Sequence, residues 1–220
     1  MSVNTSAYQQ IVEQLNDSSV ALVAVSKIKP ISDIKALYDL GQRDFGENYV
    51  QELVDKQLQL PGDIRWHFIG HLQSNKVKYI ASFVHLIHGV DSISLLKEIN
   101  KQAFKNNRVI DCLLQVHVAQ EETKFGLDER ELKEVLAQVP ALKNVQVKGL
   151  MGMASFSDDE SLVRNEFRQL KKLFEQLDQP GVSNLKPQIL SMGMSGDYKM
   201  AIEEGSTMVR IGSLLFGARV

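Results

Sequence analysis

The sequence predicts a single (β/α)8 TIM barrel, an α/β fold in which eight parallel strands alternate with helices. Three observations lead to this prediction. The chain has 220 residues, a normal length for one such barrel. Strand-like and helix-like stretches alternate regularly, which favours a parallel sheet, and eight such units favour its closure. No Pro/Gly/Ser-rich linker or low-complexity tract interrupts the chain, so residues 1–220 are predicted to form one domain.

The first predicted strand is the apolar run Ala21–Lys27. It is too short for a buried helix and rich in β-branched residues, which is typical of a strand covered on both faces. Pro30 ends the run. Seven further segments follow, and the predicted strands are Ala21–Lys27, Asp44–Asn48, Ile64–Gly70, Leu86–Val90, Val109–Val118, Val145–Met153, Gln188–Met192 and Met208–Ile211.

Helical periodicity fills the intervals between these strands. An amphipathic segment, Ala7–Leu15, opens the chain, and Ser213–Phe216 closes it as helix or turn. An open, doubly wound sheet is the structural alternative, but no G-x-G-x-x-G follows the first strand, which counts against a dinucleotide-binding fold. The intervening helices are predicted at Ile31–Leu40, Tyr49–Leu58, Ser74–Ile80, Ser92–Asn106, Glu129–Val139, Asp158–Leu177 and Asp197–Glu204.

The composition limits the classes of function. Hydrophobic residues make up 44% of the chain and charged residues 24%, so it can bury a sizeable core and remain soluble. A formal net charge of -2 gives no sign of a surface for nucleic acid or anionic membrane. No segment is long enough to span a membrane, and no secretory signal is visible. The single cysteine, Cys112, fits a reducing compartment, so a cytoplasmic location is expected.

Lys27 is the most informative residue. It ends the first predicted strand, and the carboxyl ends of barrel strands converge on the mouth where ligands bind. There a lysine amine can be desolvated and made nucleophilic toward an aldehyde. The alternative is a surface lysine whose stem covers apolar residues at the strand end. Other polar residues that directly follow predicted strands are candidate ligand contacts for the same reason, because they also lie at the mouth of the barrel.

Two small-residue turns follow the seventh and eighth strands, where many barrels bind a phosphate. In Ser191-Met-Gly-Met194-Ser195-Gly-Asp197, a tight turn leads into a helix whose first N–H groups suit an anion. The alternative is an ordinary turn in which Ser195 or Asp197 caps the helix. In the second turn, Arg210 lies in an apolar strand and needs an acceptor or anionic partner, and Gly212-Ser213 adds further backbone N–H groups.

Asn48 and the histidines admit two interpretations each. Asn48 can hydrogen-bond a ligand or cap the helix that begins at Tyr49. His67 and His71 suggest a metal, but no nearby carboxylate in the sequence completes a ligand set, so no metal site is predicted. Structural, hydrogen-bonded histidines are expected at His67, His85, His88 and His117.

Taken together, these residues resemble the YggS/PROSC family of pyridoxal phosphate homeostasis proteins. The resemblance runs from about Ala21 to the C-terminus, and its motifs agree in order and spacing. They are Ala24-Val-Ser-Lys27-Ile-Lys-Pro30, Phe45-Gly-Glu-Asn-Tyr-Val-Gln-Glu52, His67-Phe-Ile-Gly70 with Leu72-Gln-Ser-Asn-Lys76, Gly193-Met-Ser195, and Gly205-Ser-Thr-Met-Val-Arg-Ile-Gly212 with Phe216-Gly217.

The resemblance implies a barrel like the N-terminal domain of bacterial alanine racemase, fold type III, with bound pyridoxal 5'-phosphate (PLP). It implies that Lys27 forms the internal aldimine, that Arg210 faces the pyridine nitrogen and that Asn48 lies beside the cofactor. A lysine near the mouth, Lys124, matches a family residue that meets incoming ligands. His117 departs from the family, which usually carries asparagine there. The cofactor-binding residues expected from motif and resemblance are Lys27, Asn48, Ser191, Met194, Ser195, Arg210, Gly212 and Ser213.

These residues favour a carrier over a catalyst. Arginine only donates hydrogen bonds, so Arg210 would leave the ring nitrogen unprotonated and weaken the cofactor as an electron sink. No second base is identifiable, so no catalytic residue is assigned and an amino-acid racemase is the alternative function. A Schiff-base aldolase on the same barrel is a further alternative. The expected partners are PLP and, transiently, PLP-dependent apo-enzymes, and the expected state is a monomer.

Overall fold

The computed structural model describes residues 3–120, 125–177 and 181–217. Within these residues eight strands pair in parallel and in chain order, and β8 pairs back onto β1 to close a barrel. The predicted (β/α)8 barrel is therefore confirmed, and the open-sheet alternative is wrong. The strands are β1 (Ala21–Val25), β2 (Asp44–Glu47), β3 (Arg65–Phe68), β4 (Leu86–Val90), β5 (Ile110–Gln115), β6 (Val145–Met151), β7 (Leu185–Met194) and β8 (Met208–Ile211).

Helices surround the barrel and connect successive strands. Short 3₁₀ turns occupy Ser74–Lys76, directly before α4, and Val139–Ala141, after α6. No helix among the described residues is long and apolar enough to cross a membrane. The α-helices are α1 (Thr5–Ser18), α2 (Ile31–Asp39), α3 (Val50–Gln57), α4 (Val77–Ile80), α5 (Ile93–Lys105), α6 (Glu129–Leu136), α7 (Glu160–Glu175), α8 (Tyr198–Glu203) and α9 (Ser213–Phe216).

Most predicted strands extend too far at their carboxyl ends. Lys27, Asn48 and Gly70 each lie one or two residues beyond the last strand residue, because the chain leaves the ladder at the barrel mouth and turns toward the next helix. The seventh strand begins earlier than predicted and includes Pro187. The pairing of β6 with β7 shifts register there, and proline is tolerated at such irregularities.

Inward-facing side chains fill the barrel in two different ways. A buried apolar cluster occupies the interior and consists of Val23, Leu86, Leu113, Met151 and Met208. A second set of buried residues is polar, and its members contact one another: His67, His88, Ser191 and Arg210. Buried polar groups need hydrogen-bond partners, so this second set must bond internally or to a ligand.

Candidate functional site

A cavity of about 640 Å³ opens at the carboxyl ends of the strands. This is the position at which barrels of this architecture bind ligands. Seven of the eight expected cofactor-binding residues line it, and the eighth, Ser191, is fully buried behind the wall. The seven are Lys27, Asn48, Met194, Ser195, Arg210, Gly212 and Ser213.

Buried side chains of β2 and α3 hold the backbone of the turn that carries Lys27. Ser26 donates its hydroxyl proton to Glu47 Oε1 at 2.6 Å, and its carbonyl accepts from Lys56 Nζ at 2.7 Å. Lys56 also pairs with Glu47 and Glu52, both at 2.7 Å. Burial raises the pKa of the Glu47 carboxyl, which the Lys56 ammonium partly offsets. This buried cluster, which the sequence did not predict, holds the backbone directly before Lys27.

The residue after Lys27 has an unfavourable backbone conformation. Ile28 adopts a φ of 61°, in the left-handed region that β-branched residues rarely occupy. Its N–H donates to Glu52 Oε1 at 2.6 Å, so the cluster beneath the turn also holds this strained residue. Local strain of this kind accompanies functional loops.

A second lysine, Lys29, lines the same cavity, but its ammonium is engaged by the chain's own carbonyls. It donates to the carbonyl of Phe216 at 2.9 Å and, more weakly, to that of Gly217 at 3.4 Å. These contacts hold Lys29 against the end of α9. Lys29 is thus committed to a contact within the chain.

The turns after β7 and β8 meet across the cavity wall. Gly212 donates its N–H to Ser195 Oγ at 3.2 Å. Gly193 has a φ of 94°, and a Cβ there would lie 2.6 Å from Ala201 Cβ, so only glycine fits this turn. Neither Ser195 nor Asp197 caps α8 with its side chain, and Asp197 instead accepts the N–H of Met194. The capping alternative for this turn is therefore wrong.

Arg210 is held by three acceptor contacts within the barrel. Its Nη1 donates to the carbonyl and the hydroxyl of Ser191, at 2.8 and 2.7 Å, and its Nη2 donates to the carbonyl of Gly152 at 3.0 Å. The predicted need for acceptor partners is thus confirmed. Burial lowers the pKa of Arg210 to about 10, so the guanidinium stays protonated at neutral pH. The side chain also lines the cavity.

Asn48 presents an unsatisfied acceptor. Its Oδ1 is buried without a hydrogen-bond partner within the described structure, and it does not cap α3. The capping alternative for Asn48 is wrong. A Cβ at Gly70 would lie 2.3 Å from the carbonyl oxygen of Asn48, so glycine is required where β3 leaves the barrel beside it. Buried acceptors without partners are rare, and one in a cavity wall is typical of a ligand contact.

A row of polar side chains runs through the barrel from Arg210 to the opposite end. His88 Nδ1 lies 3.1 Å from Ser191 Oγ, and His88 Nε2 lies 2.9 Å from His67 Nδ1. His67 Nε2 in turn lies 2.9 Å from Asp44 Oδ1. Both histidines are buried, as the sequence predicted for structural, hydrogen-bonded histidines. Their role as links in a continuous row was not predicted.

His71 and His117 are not among the described residues that line the cavity. His71 bonds Asp91 at 3.0 Å and stacks on Phe125 with ring centroids 4.1 Å apart. His117 is half-buried at the end of the β5 region. Lys124 lies outside the described residues.

The cavity fits the chemistry of a phosphorylated pyridine aldehyde. Lys27 supplies an amine, Arg210 a fixed donor cation, and Asn48 an acceptor that lacks a partner. Ser195 and Ser213 offer a hydroxyl and a backbone N–H to an anion, beside Gly212, whose N–H is donated to Ser195 Oγ. These groups come from the ends of β1, β2, β7 and β8, which are contiguous around the closed barrel.

Comparison with known proteins agrees with this site. The profile of the alanine racemase N-terminal domain matches residues 3–220. A pyridoxal phosphate homeostasis protein of Aquifex aeolicus is 45% identical over 204 residues, which cover 92% of this chain and 89% of the relative. The protein of that name in Schizosaccharomyces pombe is 40% identical over 214 residues, covering 96% and 89%.

Solved structures extend the likeness to three dimensions. PipY of Synechococcus elongatus with PLP bound has a TM-score of 0.88 at 37% identity, over 96% of this chain and 99% of that one. Alanine racemase of Bartonella henselae has a TM-score of 0.76 at 18% identity, over 99% of this chain and 60% of that one, and shares the fold alone. The chain therefore belongs to the alanine racemase N-terminal domain family and, within it, to the YggS/PROSC group of pyridoxal phosphate homeostasis proteins.

Proposed function

We propose that this chain binds PLP through a Schiff base with Lys27 and serves PLP homeostasis as a carrier without significant turnover. The observation that carries the proposal is the shared cavity wall of Lys27, Asn48, Ser195 and Arg210. The PLP-bound structure of PipY, similar over nearly the whole chain, supports the same cofactor here.

The roles follow from the geometry of each group. Lys27 supplies the amine, on a turn held by the buried pair of Glu47 and Lys56. Ser195 and the backbone N–H groups of Gly212 and Ser213 bind the phosphate. Arg210 faces the ring nitrogen as a donor, with Ser191 positioning it from behind the wall. Asn48 accepts from the cofactor beside the ring, and Met194 covers it at the lip of the cavity.

A carrier fits this set of residues better than a racemase. PLP stabilises a carbanion mainly when its ring nitrogen is protonated, and a donor-only arginine opposes that state. Racemisation also needs two bases on opposite faces of the substrate. The described lining residues include no tyrosine, histidine or cysteine, and Lys29 is held by the carbonyls at the end of α9. We propose that the carboxylates of Asp158 and Asp197, which also line the cavity, do not serve as the second base. The aldolase alternative finds no support in the family to which the chain belongs.

The homeostatic role requires that bound cofactor reach PLP-dependent apo-enzymes, and we propose transient contact with them by a monomer. A cytoplasmic location accords with the lone cysteine, Cys112, which is fully buried in the core. Burial raises the pKa of its thiol, as expected for a packed core residue without redox chemistry.

The test is cofactor transfer to an apo-transaminase in the presence of a phosphatase that destroys free PLP. Handover within a complex should reactivate the apo-transaminase despite the phosphatase, whereas an equal amount of free PLP should not. The Lys27→Ala protein, loaded in the same way, serves as the control and should transfer nothing. Loss of all reactivation when the phosphatase is present would contradict handover within a complex. Failure to load PLP at all would contradict the proposed function itself.

A further inference from the structure

The end of the barrel opposite the cavity carries a second group of chemically active side chains. Asp44 opens β2, His67 lies within β3, and His85 directly precedes β4. One ligand atom from each lies within 4.8 Å of the other two. Their spacing in the sequence does not group them, because Asp44 and His85 flank the strands on either side of β3.

These three donors suit a divalent transition metal. Two imidazoles and one carboxylate form a common ligand set for Zn²⁺ and neighbouring ions. Metal–ligand distances of about 2.0–2.2 Å place tetrahedral ligand atoms roughly 3.3 Å apart. Asp44 and His67 already have atoms 2.9 Å apart, so the exposed His85 makes most of the adjustment.

The buried ligand also has a partner behind it. His67 is 1% exposed, and its other ring nitrogen contacts His88 Nε2 at 2.9 Å. Metal-binding histidines usually engage their second nitrogen in this way, which fixes the ring orientation. His88 is itself anchored on Ser191, so the ring of His67 is held before any ion arrives.

Arg65 competes with a metal for the same carboxylate. Its Nε donates to Asp44 Oδ1 at 2.7 Å, and its Nη2 pairs with Oδ2. The Arg65 side chain is 48% exposed, so it can move into solvent when a cation binds. Arg108 adds positive charge on the side of His85. A metal must therefore displace one salt bridge, and removal of Arg65 should favour it.

We propose that Asp44, His67 and His85 bind one divalent first-row transition ion, foremost Zn²⁺, at the amino-terminal end of the barrel, with water completing the coordination. The site is separate from the cofactor cavity and is not required for PLP binding. No metal site was expected from the sequence, because only the pairing of β2 with β3 brings the Asp44 carboxylate beside His67.

Metal binding changes the proton positions along the row. Without metal, Asp44 can only accept, so His67 presents an N–H at Nε2. A metal on Nε2 requires the remaining proton to sit on Nδ1, from which it is donated to His88 Nε2. His88 must then carry its own proton on Nδ1 and donate it to Ser191. An ion at one end of the barrel therefore fixes the tautomer of a histidine near Arg210 at the other.

The experiment titrates tag-free protein with Zn²⁺, and separately with Co²⁺ as a spectroscopic probe. We expect one equivalent to bind, with the visible bands of four- or five-coordinate Co²⁺. His85→Ala and Asp44→Asn should each weaken binding at least tenfold, whereas Arg65→Gln should tighten it at least threefold. His71→Ala is the matched control, because His71 also contacts an aspartate yet lies outside the cluster, and it should leave affinity unchanged. Circular dichroism of each variant verifies folding.

Nitrogen NMR of the histidine rings provides the second measurement. Zn²⁺ should move the proton of the fully buried His88 from Nε2 to Nδ1, a change that surface binding elsewhere would not produce. The proposal is overturned if His85→Ala and His71→Ala weaken binding equally, if Arg65→Gln fails to tighten it, or if the tautomer of His88 is unchanged at saturation.

Discussion

His67 and His88 share a single hydrogen bond inside the barrel, with Nδ1 of the first 2.9 Å from Nε2 of the second. Asp44, at one end of the row, can only accept hydrogen bonds, and Arg210, at the other end, can only donate them. In the metal-free protein with both rings neutral, Nε2 of His88 therefore donates to His67. Burial above all, with the nearby Arg210 guanidinium, holds the pKa of His88 well below its ordinary value.

This burial predicts a loss of stability on acidification. His88 remains neutral in the folded state but regains an ordinary pKa of about 6.5 on unfolding. The unfolded state thus binds more protons below that pH, and stability falls by about 1.4 kcal/mol per pH unit as the pH drops below 6.5. Urea unfolding at pH 7 and pH 5 should show a loss of stability from this group, with an upper limit of about 2 kcal/mol.

The matched variant is His88→Gln, which keeps one donor and one acceptor but cannot titrate. Its stability should be lower at pH 7 yet decline less between pH 7 and pH 5. Equal slopes for the parent and His88→Gln would contradict the assignment.

The sequence predicted the cavity better than the row behind it. Lys27, Asn48 and Arg210 could be identified because residues at the ends of parallel strands converge on one mouth in any closed barrel. Asp44, His67 and His88 come from three strands, and their shared inward orientation depends on the registers and on closure. The ion pair of Glu47 with Lys56 could not be predicted either, because it joins a strand to a helix. Only Lys56 and Glu52 show the spacing of a helical pair in the sequence.

Lys27 is the lysine that we expect to form the covalent bond with the cofactor. Borohydride reduction of the PLP-loaded protein should fix the cofactor on the peptide that contains Lys27. Lys27→Ala should abolish the near-visible absorbance, whereas Lys29→Ala should retain it, because Lys29 is engaged at the end of α9. Peptide mapping after reduction measures the site. A stable adduct on Lys29, Lys76 or Lys124 in the native protein would refute the assignment.

The phosphate site can be tested with a ligand that lacks the phosphate. Ser195→Ala should weaken PLP binding by on the order of tenfold or more, as expected for loss of a hydrogen bond to a charged group. Affinity for pyridoxal, measured by the same fluorescence titration, should be unchanged by the substitution. A chelator should leave the affinity for PLP intact, because the phosphate donors are side-chain and backbone groups. Equal weakening for both ligands would place Ser195 elsewhere in the site.

Strain at the turn after Lys27 predicts an unusual effect of glycine. Ile28 is 65% exposed and has a φ of 61°, so its replacement forfeits little packing and relieves an unfavourable conformation. Ile28→Gly should raise the free energy of unfolding by about 1 kcal/mol, measured with urea. Ile28→Asn, which tolerates the same region, should give a smaller gain. A loss of stability in both variants would show that packing of Ile28 outweighs its strain.

Arg210 leads to the prediction that separates a carrier from a racemase. If the guanidinium faces the ring nitrogen as proposed, it can only donate to that nitrogen, because its pKa of about 10 keeps it protonated and three acceptor contacts hold it in place. The ring then remains a weak electron sink, and no tyrosine or histidine among the described lining residues can reprotonate the opposite face. The PLP-loaded protein should therefore exchange amino acids on the cofactor while leaving L-alanine essentially unracemised. Deuterium incorporation at the α-carbon, followed together with the chirality of the product, measures both steps. Exchange with inversion at rates on the order of 1–1000 per second, as in ordinary enzymes, would establish a racemase instead.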